Sequence, residues 1–267
     1  MKRPIVIYTA VAYAVTWGIV LTAYAFYRDG DLTLTQLNLL YNAGALGPLV
    51  GAWIAAKATY GNAGTKKLFS TFRITGISRR AWLLSLSPLA FLAVGFVTYP
   101  IFKGHPFTFA ETQRQFHLTD NLSYVAWLLP FFTYSFLEEF GWRGFLLPHL
   151  QQKFTALKAT LLLTVIWASW HLPFFLWRFQ FSGFITIGFF VSIFIGAVVL
   201  TTCFNLSNGS IVPVITFHLL NNIASALDKE YLVAVLGTCF TFVAIYAIRT
   251  YGGKELSDAK RVTNFYQ

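Results

Sequence analysis

The chain has 267 residues, of which 56% are hydrophobic and only 11% are charged, and it contains 28 phenylalanines and 8 tryptophans. This composition excludes a water-soluble globular domain, which carries about 25% charged residues. The net charge of +10 is concentrated between apolar stretches, where membrane topology explains it better than nucleic-acid binding does. We therefore expect membrane lipids and no nucleic acid as partners.

Eight apolar stretches follow one another, each about 18–25 residues long, which is the length a helix needs to cross the hydrocarbon layer. The first stretch follows Lys2 and Arg3 as a signal peptide would, but it is too long for a typical signal-peptide core. The sequence predicts an all-α polytopic membrane protein with a single integral-membrane domain over residues 1–267. The predicted spans are 4–27, 37–56, 81–102, 122–147, 158–177, 183–204, 209–227 and 231–249.

Lysine and arginine are unevenly divided between the two sets of connecting segments. The segment 57–80 alone carries Lys57, Lys66, Lys67, Arg73, Arg79 and Arg80. The positive-inside rule predicts that this segment and both termini are cytoplasmic, in a multi-pass protein of the cell membrane. Leu68, Phe69 and Phe72 within the segment would share one face of a short helix on the membrane surface, and an ordinary basic loop is the alternative.

Three ionisable side chains lie inside the fourth span, namely Glu138, Glu139 and Arg143, and the interiors of the other spans contain no Asp, Glu, Lys or Arg. One ionised side chain at the centre of a membrane helix costs roughly 2.5–3.5 kcal/mol on insertion scales, so pairing or a polar cavity is needed. The four-residue spacing of Glu139 and Arg143 predicts a structural ion pair. Glu138 is then left without a partner on its own helix.

Two of the five histidines lie inside spans, His171 in the fifth and His218 in the seventh. Glu138 and His218 are each about nine residues from the cytoplasmic end of their span, or ~14 Å deep, and His171 is somewhat deeper. Asn222 follows His218 by four residues and shares its helix face. We therefore expect three helices to bring these polar groups around one wet pocket. The other histidines are in loops or at a span end and are assigned no role.

These residue types favour hydrolysis of an amide by activated water. Glu138 would take a proton from water, and His171 would orient or help to activate that water. His218 and Asn222 would donate hydrogen bonds to the oxyanion that forms as a carbonyl becomes tetrahedral. Alternatively, Glu138, His171 and His218 would bind a divalent metal such as zinc, although no HExxH motif or ligand spacing identifies one.

The same residues resemble three motifs of the CPBP family of intramembrane proteases, which includes CAAX prenyl endopeptidases of the Rce1 type and bacteriocin-immunity relatives. The motifs EExxxR, FxxxH and HxxxN are matched, in this order, by Glu138, Glu139 and Arg143, by Trp167 and His171, and by His218 and Asn222. Trp167 stands where the family pattern has phenylalanine and keeps a bulky aromatic side chain one turn from His171. The resemblance covers about 122–227, which we interpret as the protease core.

The resemblance implies an intramembrane endopeptidase that opens toward the cytoplasm and cleaves a membrane-associated peptide or protein. It implies that Glu138 is the catalytic glutamate, that Glu139 supports it, and that His171, His218 and Asn222 complete the site. Family members have been described both as metalloproteases and as glutamate-dependent enzymes, so both mechanisms stay open. Prenylated CAAX substrates belong to one branch, and the sequence specifies neither the substrate nor the oligomeric state.

Two functions of other classes use the same polar residues. A proton or ion relay in a transporter would place acids and histidines inside the membrane, but the sequence shows no inverted repeat. A non-catalytic scaffold or bacteriocin-immunity protein is the other alternative. The complete set of motif residues argues against it, since a non-catalytic protein is free to lose buried charges that cost stability.

Overall fold

Helices make up most of residues 2–179 and 183–263, which are the residues that the computed structural model describes, and no β-strand occurs among them. The predicted all-α class is therefore confirmed. The α-helices are α1 (Lys2–Asp29), α2 (Leu34–Gly44), α3 (Leu46–Phe69), α4 (Arg79–Lys103), α5 (Phe109–Phe116), α6 (Asn121–Gly141), α7 (Leu147–Gln151), α8 (Ala156–Trp170), α9 (Gly183–Leu206), α10 (Val212–Ser225) and α11 (Tyr231–Glu255). Two 3₁₀ segments, Ser70–Phe72 and Leu172–Leu176, follow α3 and α8, and a π-helical turn, Trp142–Leu146, joins α6 to α7.

Five helical units within the described residues are long and apolar enough to cross a membrane. They are Arg3–Asp29, Leu34–Phe72, Arg79–Lys103, Thr186–Leu206 and Tyr231–Glu255. These units coincide with the first, second, third, sixth and eighth predicted spans. This helix content is that of a multi-pass membrane protein.

The remaining predicted spans, 122–147, 158–177 and 209–227, correspond to α6, α8 and α10, which are the helices that carry the polar residues. α8 has 15 residues and α10 has 14. α8 ends at Trp170 because Pro173 restricts the backbone before it, and a 3₁₀ segment replaces the α-helix there. Pro213 lies in the first turn of α10, where its missing N–H is not needed. The count of eight spans and the cytoplasmic position of both termini stay predictions.

The basic segment 57–80 is largely helical, as one of the two interpretations of the sequence expected. α3 continues to Phe69 and bends at Gly61, whose φ of 63° suits glycine. Leu68 is fully buried in the core, whereas Phe69 is exposed. Phe72 stacks on Phe140 of α6. One face of this helix therefore packs against the protein instead of lying free on the membrane surface.

Two glycines allow α1, α3 and α6 to approach one another closely. A Cβ atom on Gly47 of α3 would lie 2.0 Å from Oγ1 of Thr16 in α1. A Cβ atom on Gly141 of α6 would lie 2.6 Å from the carbonyl oxygen of Pro48 in α3. Any larger side chain at either position would push the helices apart. The close packing places α1 and α3 against the end of α6 that carries the carboxylates.

Candidate active site

The last turn of α6 carries Glu138 and Glu139, and the π-helical turn Trp142–Leu146 follows at once. Both glutamates and Arg143 are buried. A π-helical turn inserted into a helix changes which side chains face the interior, and such turns are frequent at functional sites. Here it directs an acid pair and a guanidinium group into the interior of the bundle.

Glu139 forms the charged half of the site. Its Oε1 accepts hydrogen bonds from Nη1 of Arg143 at 2.9 Å and from Nδ1 of His218 at 2.8 Å. The predicted contact between Glu139 and Arg143 is therefore present, with both side chains fully buried. The attraction between the two charges and the hydrogen bonds to Glu139 offset the free-energy cost of removing both charges from water, so the pair is tolerated in the interior. With Nδ1–H given to Glu139, the neutral ring of His218 has an unshared electron pair on Nε2.

Glu138 has different neighbours, which are indole rings. Its Oε2 accepts hydrogen bonds from Nε1–H of Trp142, at 3.1 Å, and from Nε1–H of Trp167. The expectation that Glu138 lacks a partner on its own helix was wrong, because Trp142 follows it by four residues. Oε1 of Glu138 accepts no hydrogen bond from the described residues and keeps accessible surface. Oε2 of Glu139, by contrast, is sealed in the interior without a partner among those residues.

His171 lies at the end of α8, directly after its last α-helical residue. Its Nδ1–H donates to the carbonyl oxygen of Trp167 at 2.7 Å, which leaves Nε2 with its electron pair. The ring of Trp167 lies between the two imidazoles, with centroids 5.8 Å from His171 and 6.0 Å from His218. The indole that binds Glu138 thus also contacts both histidines.

Asn222 approaches α6 from α10. Its Nδ2 donates to Oγ of Ser135 at 3.2 Å, and Ser135 precedes Glu138 by three residues. Glu138, His171, His218 and Asn222 are linked across α6, α8 and α10 through Glu139, Trp167 and Ser135. That these residues surround one wet pocket, and that they are catalytic, stay predictions.

Helix α1 also contacts the site, which motif reasoning did not find. The last carbonyl groups of a helix have no partner within it. At the end of α8, the carbonyl of Ile166 accepts a hydrogen bond from the hydroxyl of Tyr13, and that of Trp170 accepts one from Nε1 of Trp17 at 3.1 Å. α1 therefore fixes the end of the helix that presents His171. The only sequence signal was two hydrogen-bonding aromatics spaced four residues apart.

Tyr8 of α1 reaches the other side of the site. Its ring packs edge-on against Trp142 with centroids 5.4 Å apart. Its hydroxyl is buried and has no hydrogen-bond partner among residues 2–179 and 183–263. An unsatisfied buried hydroxyl costs about 1–3 kcal/mol, so its retention beside charged groups marks this face of α1 as part of the polar interior.

The predicted alternative ligands Glu138, His171 and His218 do not fit a metal ion in this arrangement. Within the described part of the chain, no group of three His, Cys, Asp or Glu side chains is close enough to hold one. Binding of a divalent metal such as zinc stays a prediction.

This buried arrangement of two acids, two imidazoles and an amide in an all-helical bundle is that of a polar site within a membrane protein. A family model described as "Type II CAAX prenyl endopeptidase Rce1-like" matches residues 120–224, which include every predicted site residue. A curated relative, "CAAX prenyl protease 2" of Methanococcus maripaludis, is 27% identical over 154 residues. The match covers 54% of this chain and 57% of that relative, so it spans little more than half of either.

The resemblance to the CPBP family, and to its Rce1-type members, is thereby confirmed over this segment. The protein is a multi-pass integral membrane protein.

Proposed function

We propose that the protein is an intramembrane endopeptidase that hydrolyses a peptide bond of a membrane-associated substrate with water activated by Glu138 and His171. The observation that carries the proposal is the asymmetry of Glu138, whose Oε2 accepts two hydrogen bonds while Oε1 accepts none from the described residues. A carboxylate oxygen without a donor is available as a general base, and Trp167, which binds Oε2, also contacts the rings of His171 and His218.

In the first step, Oε1 of Glu138 accepts a proton from water as the water oxygen attacks the carbonyl carbon of the substrate. Nε2 of His171 keeps an electron pair because Nδ1–H donates to Trp167, so Nε2 accepts a hydrogen bond from that water and orients it. The carbonyl carbon becomes tetrahedral and its oxygen becomes negative. In the second step, the carbon–nitrogen bond breaks, and the proton held on Oε1 passes to the leaving amine.

The oxyanion needs hydrogen-bond donors, which α10 supplies. One N–H of the Asn222 amide donates to Ser135, and its second N–H is available for the oxyanion. In its doubly protonated form His218 donates from Nε2, while Nδ1–H remains bonded to Glu139. Glu139 and Arg143 therefore position His218 and do not react themselves.

The matching family and the curated relative suggest a substrate class. Both are named as CAAX prenyl proteases, so we include a prenylated CAAX-like segment among the substrates of the proposed enzyme. Attachment to the membrane would present the scissile bond at the depth of Glu138. A peptide with the same sequence and no prenyl group is the appropriate comparison.

The test is cleavage of a farnesylated CAAX peptide by the purified protein in proteoliposomes, with mass spectrometry of the products. Glu138→Gln should lower the rate by about 10²–10⁴-fold, which is the usual contribution of a general base. Glu111→Gln is the matched control because it makes the same change in an acid of α5 outside the site, and it should leave the rate unaltered. Full activity of Glu138→Gln would refute the mechanism. Proton flux that depends on Glu138, without cleavage, would favour a transporter instead.

A further inference from the structure

The two tryptophans on Glu138 have a consequence that depends on the chemistry of indole. Nε1–H of an indole donates a hydrogen bond and cannot accept one. Trp142 and Trp167 both donate to the same oxygen, Oε2, and both side chains are buried, with at most 6% exposed. Oε2 must therefore act as an acceptor toward both rings.

A proton taken up by Glu138 therefore has one favourable position. If it resided on Oε2, it would point toward two other N–H groups and would break at least one of their hydrogen bonds. On Oε1, which accepts no hydrogen bond from the described residues, it disturbs neither.

We propose that Trp142 and Trp167 form an indole clamp that binds Oε2 of Glu138 and leaves Oε1 as the oxygen that takes up a proton. Trp167 is a positioning residue that acts through Glu138, and it stands where the family pattern has phenylalanine, which has no N–H to donate. The consequence for catalysis rests on the proposed endopeptidase function. The hydrogen bonds themselves do not.

The other groups near Glu138 must stay constant in any test of the clamp. Those that contribute to its electrostatic environment come from α1, α2, α6, the π-helical turn and α10, and they are Tyr8, Tyr41, Tyr134, Glu139, Arg143 and His218. Trp167→Phe changes none of them. It keeps an aromatic ring beneath the guanidinium group of Arg143, whose Cζ lies 4.5 Å from the indole centroid.

Trp127 provides a control for the loss of size on replacing tryptophan by phenylalanine. It lies near the start of α6, is 9% exposed, and packs on Phe131 in a separate apolar cluster. Its Nε1 is buried without a hydrogen-bond partner among the described residues. Trp127→Phe therefore removes the same atoms as Trp167→Phe but breaks no hydrogen bond.

The first experiment detects the clamp without any measurement of activity. The full chain is labelled with ¹⁵N-tryptophan in detergent micelles, and the indole N–H resonances are assigned from the Trp127→Phe, Trp142→Phe and Trp167→Phe variants. Glu138→Gln weakens the acceptor, so the signals of Trp142 and Trp167 should move upfield while that of Trp127 stays in place. If neither signal moves, the clamp is absent and the inference is overturned.

The second experiment measures its effect on the kinetics of peptide cleavage. With one donor lost, the carboxylate of Glu138 is held less firmly, so kcat of Trp167→Phe should fall by about ten-fold with KM unchanged, and Trp127→Phe should keep both wild-type values. A wild-type kcat for Trp167→Phe would overturn the catalytic part. If the wild type cleaves nothing, the proposed function fails and the resonance shifts still decide the clamp.

Discussion

Two groups of acids in this protein differ in the reason for their position. The first group consists of two acids at helix starts, Glu111 and Asp228, which both accept a hydrogen bond from the hydroxyl of Tyr99. Asp228 accepts two backbone N–H hydrogen bonds at the start of α11, and Glu111 lies in the first turn of α5. Acids are favourable at both places because the first N–H groups of a helix have no partner within it and its dipole is positive there.

The second group is the α6 carboxylate pair, Glu138 and Glu139, which lies inside a helix that continues through the π-helical turn into α7. No free backbone N–H of a helix start is available to these acids, and their burial is costly. Their compensation comes from elsewhere, namely Arg143, His218 and the indole rings. Acids that stabilise a helix end are explained by local structure, whereas acids buried within a helix and paired across helices indicate a functional site.

The largest expected difference concerns the two histidines that contact these groups. His218→Ala removes an oxyanion donor and the partner of Glu139, and it should lower kcat for the farnesylated peptide by about 10²–10³-fold. His105→Ala removes a ring that lies 3.4 Å from Glu111, with more than half of its side chain exposed, and kcat should not change. Initial rates in proteoliposomes test both variants. Similar losses for the two would mean that the α6 pair has no special role in the reaction.

The next prediction concerns the cations, and its readout is stability. Arg143→Met leaves Glu139 buried without its guanidinium partner and should lower the free energy of unfolding by about 3–5 kcal/mol. Lys103→Met breaks the solvent-exposed pair with Glu230 and should give no resolvable change. Unfolding by SDS in mixed micelles, followed by circular dichroism, measures both.

A double variant sharpens this prediction. Adding Glu139→Gln to Arg143→Met removes the orphaned charge, so the double variant should be more stable than Arg143→Met alone. If the double variant is instead less stable by the sum of the two single changes, Glu139 and Arg143 do not stabilise each other.

The smallest effect is expected from removal of metal ions. Because Oε2 of Glu138 is held by indoles and no three-ligand cluster occurs in the described residues, the rate should change by less than about two-fold after dialysis against a chelator. Elemental analysis of the purified protein should find no stoichiometric zinc. A loss of activity that zinc restores would instead establish the alternative site of Glu138, His171 and His218.

The local contacts of the site could be predicted from the sequence, and those between helices could not. Glu139 and Arg143 are four residues apart, so helix geometry brings them together wherever the helix lies. The contact of Trp142 with Glu138 has the same spacing, and it was missed because an indole was not considered as a donor. The contact of Trp167 with Glu138 depends on how α8 is rotated against α6. This rotation cannot be inferred from the residue pattern of either helix alone.

The apolar runs determined the class of fold. A run of about 20 apolar residues is long enough to cross a bilayer as a helix, and a helix satisfies its own backbone hydrogen bonds there. They also determined which polar residues needed partners, because a buried charge in an apolar run has no local way to be solvated. Only the tertiary structure decided where α8 and α10 end, that α1 fixes the end of α8, and which oxygen of Glu138 stays open. These features depend on the distances and rotations of packed helices, which arise from the fit of many side chains at once.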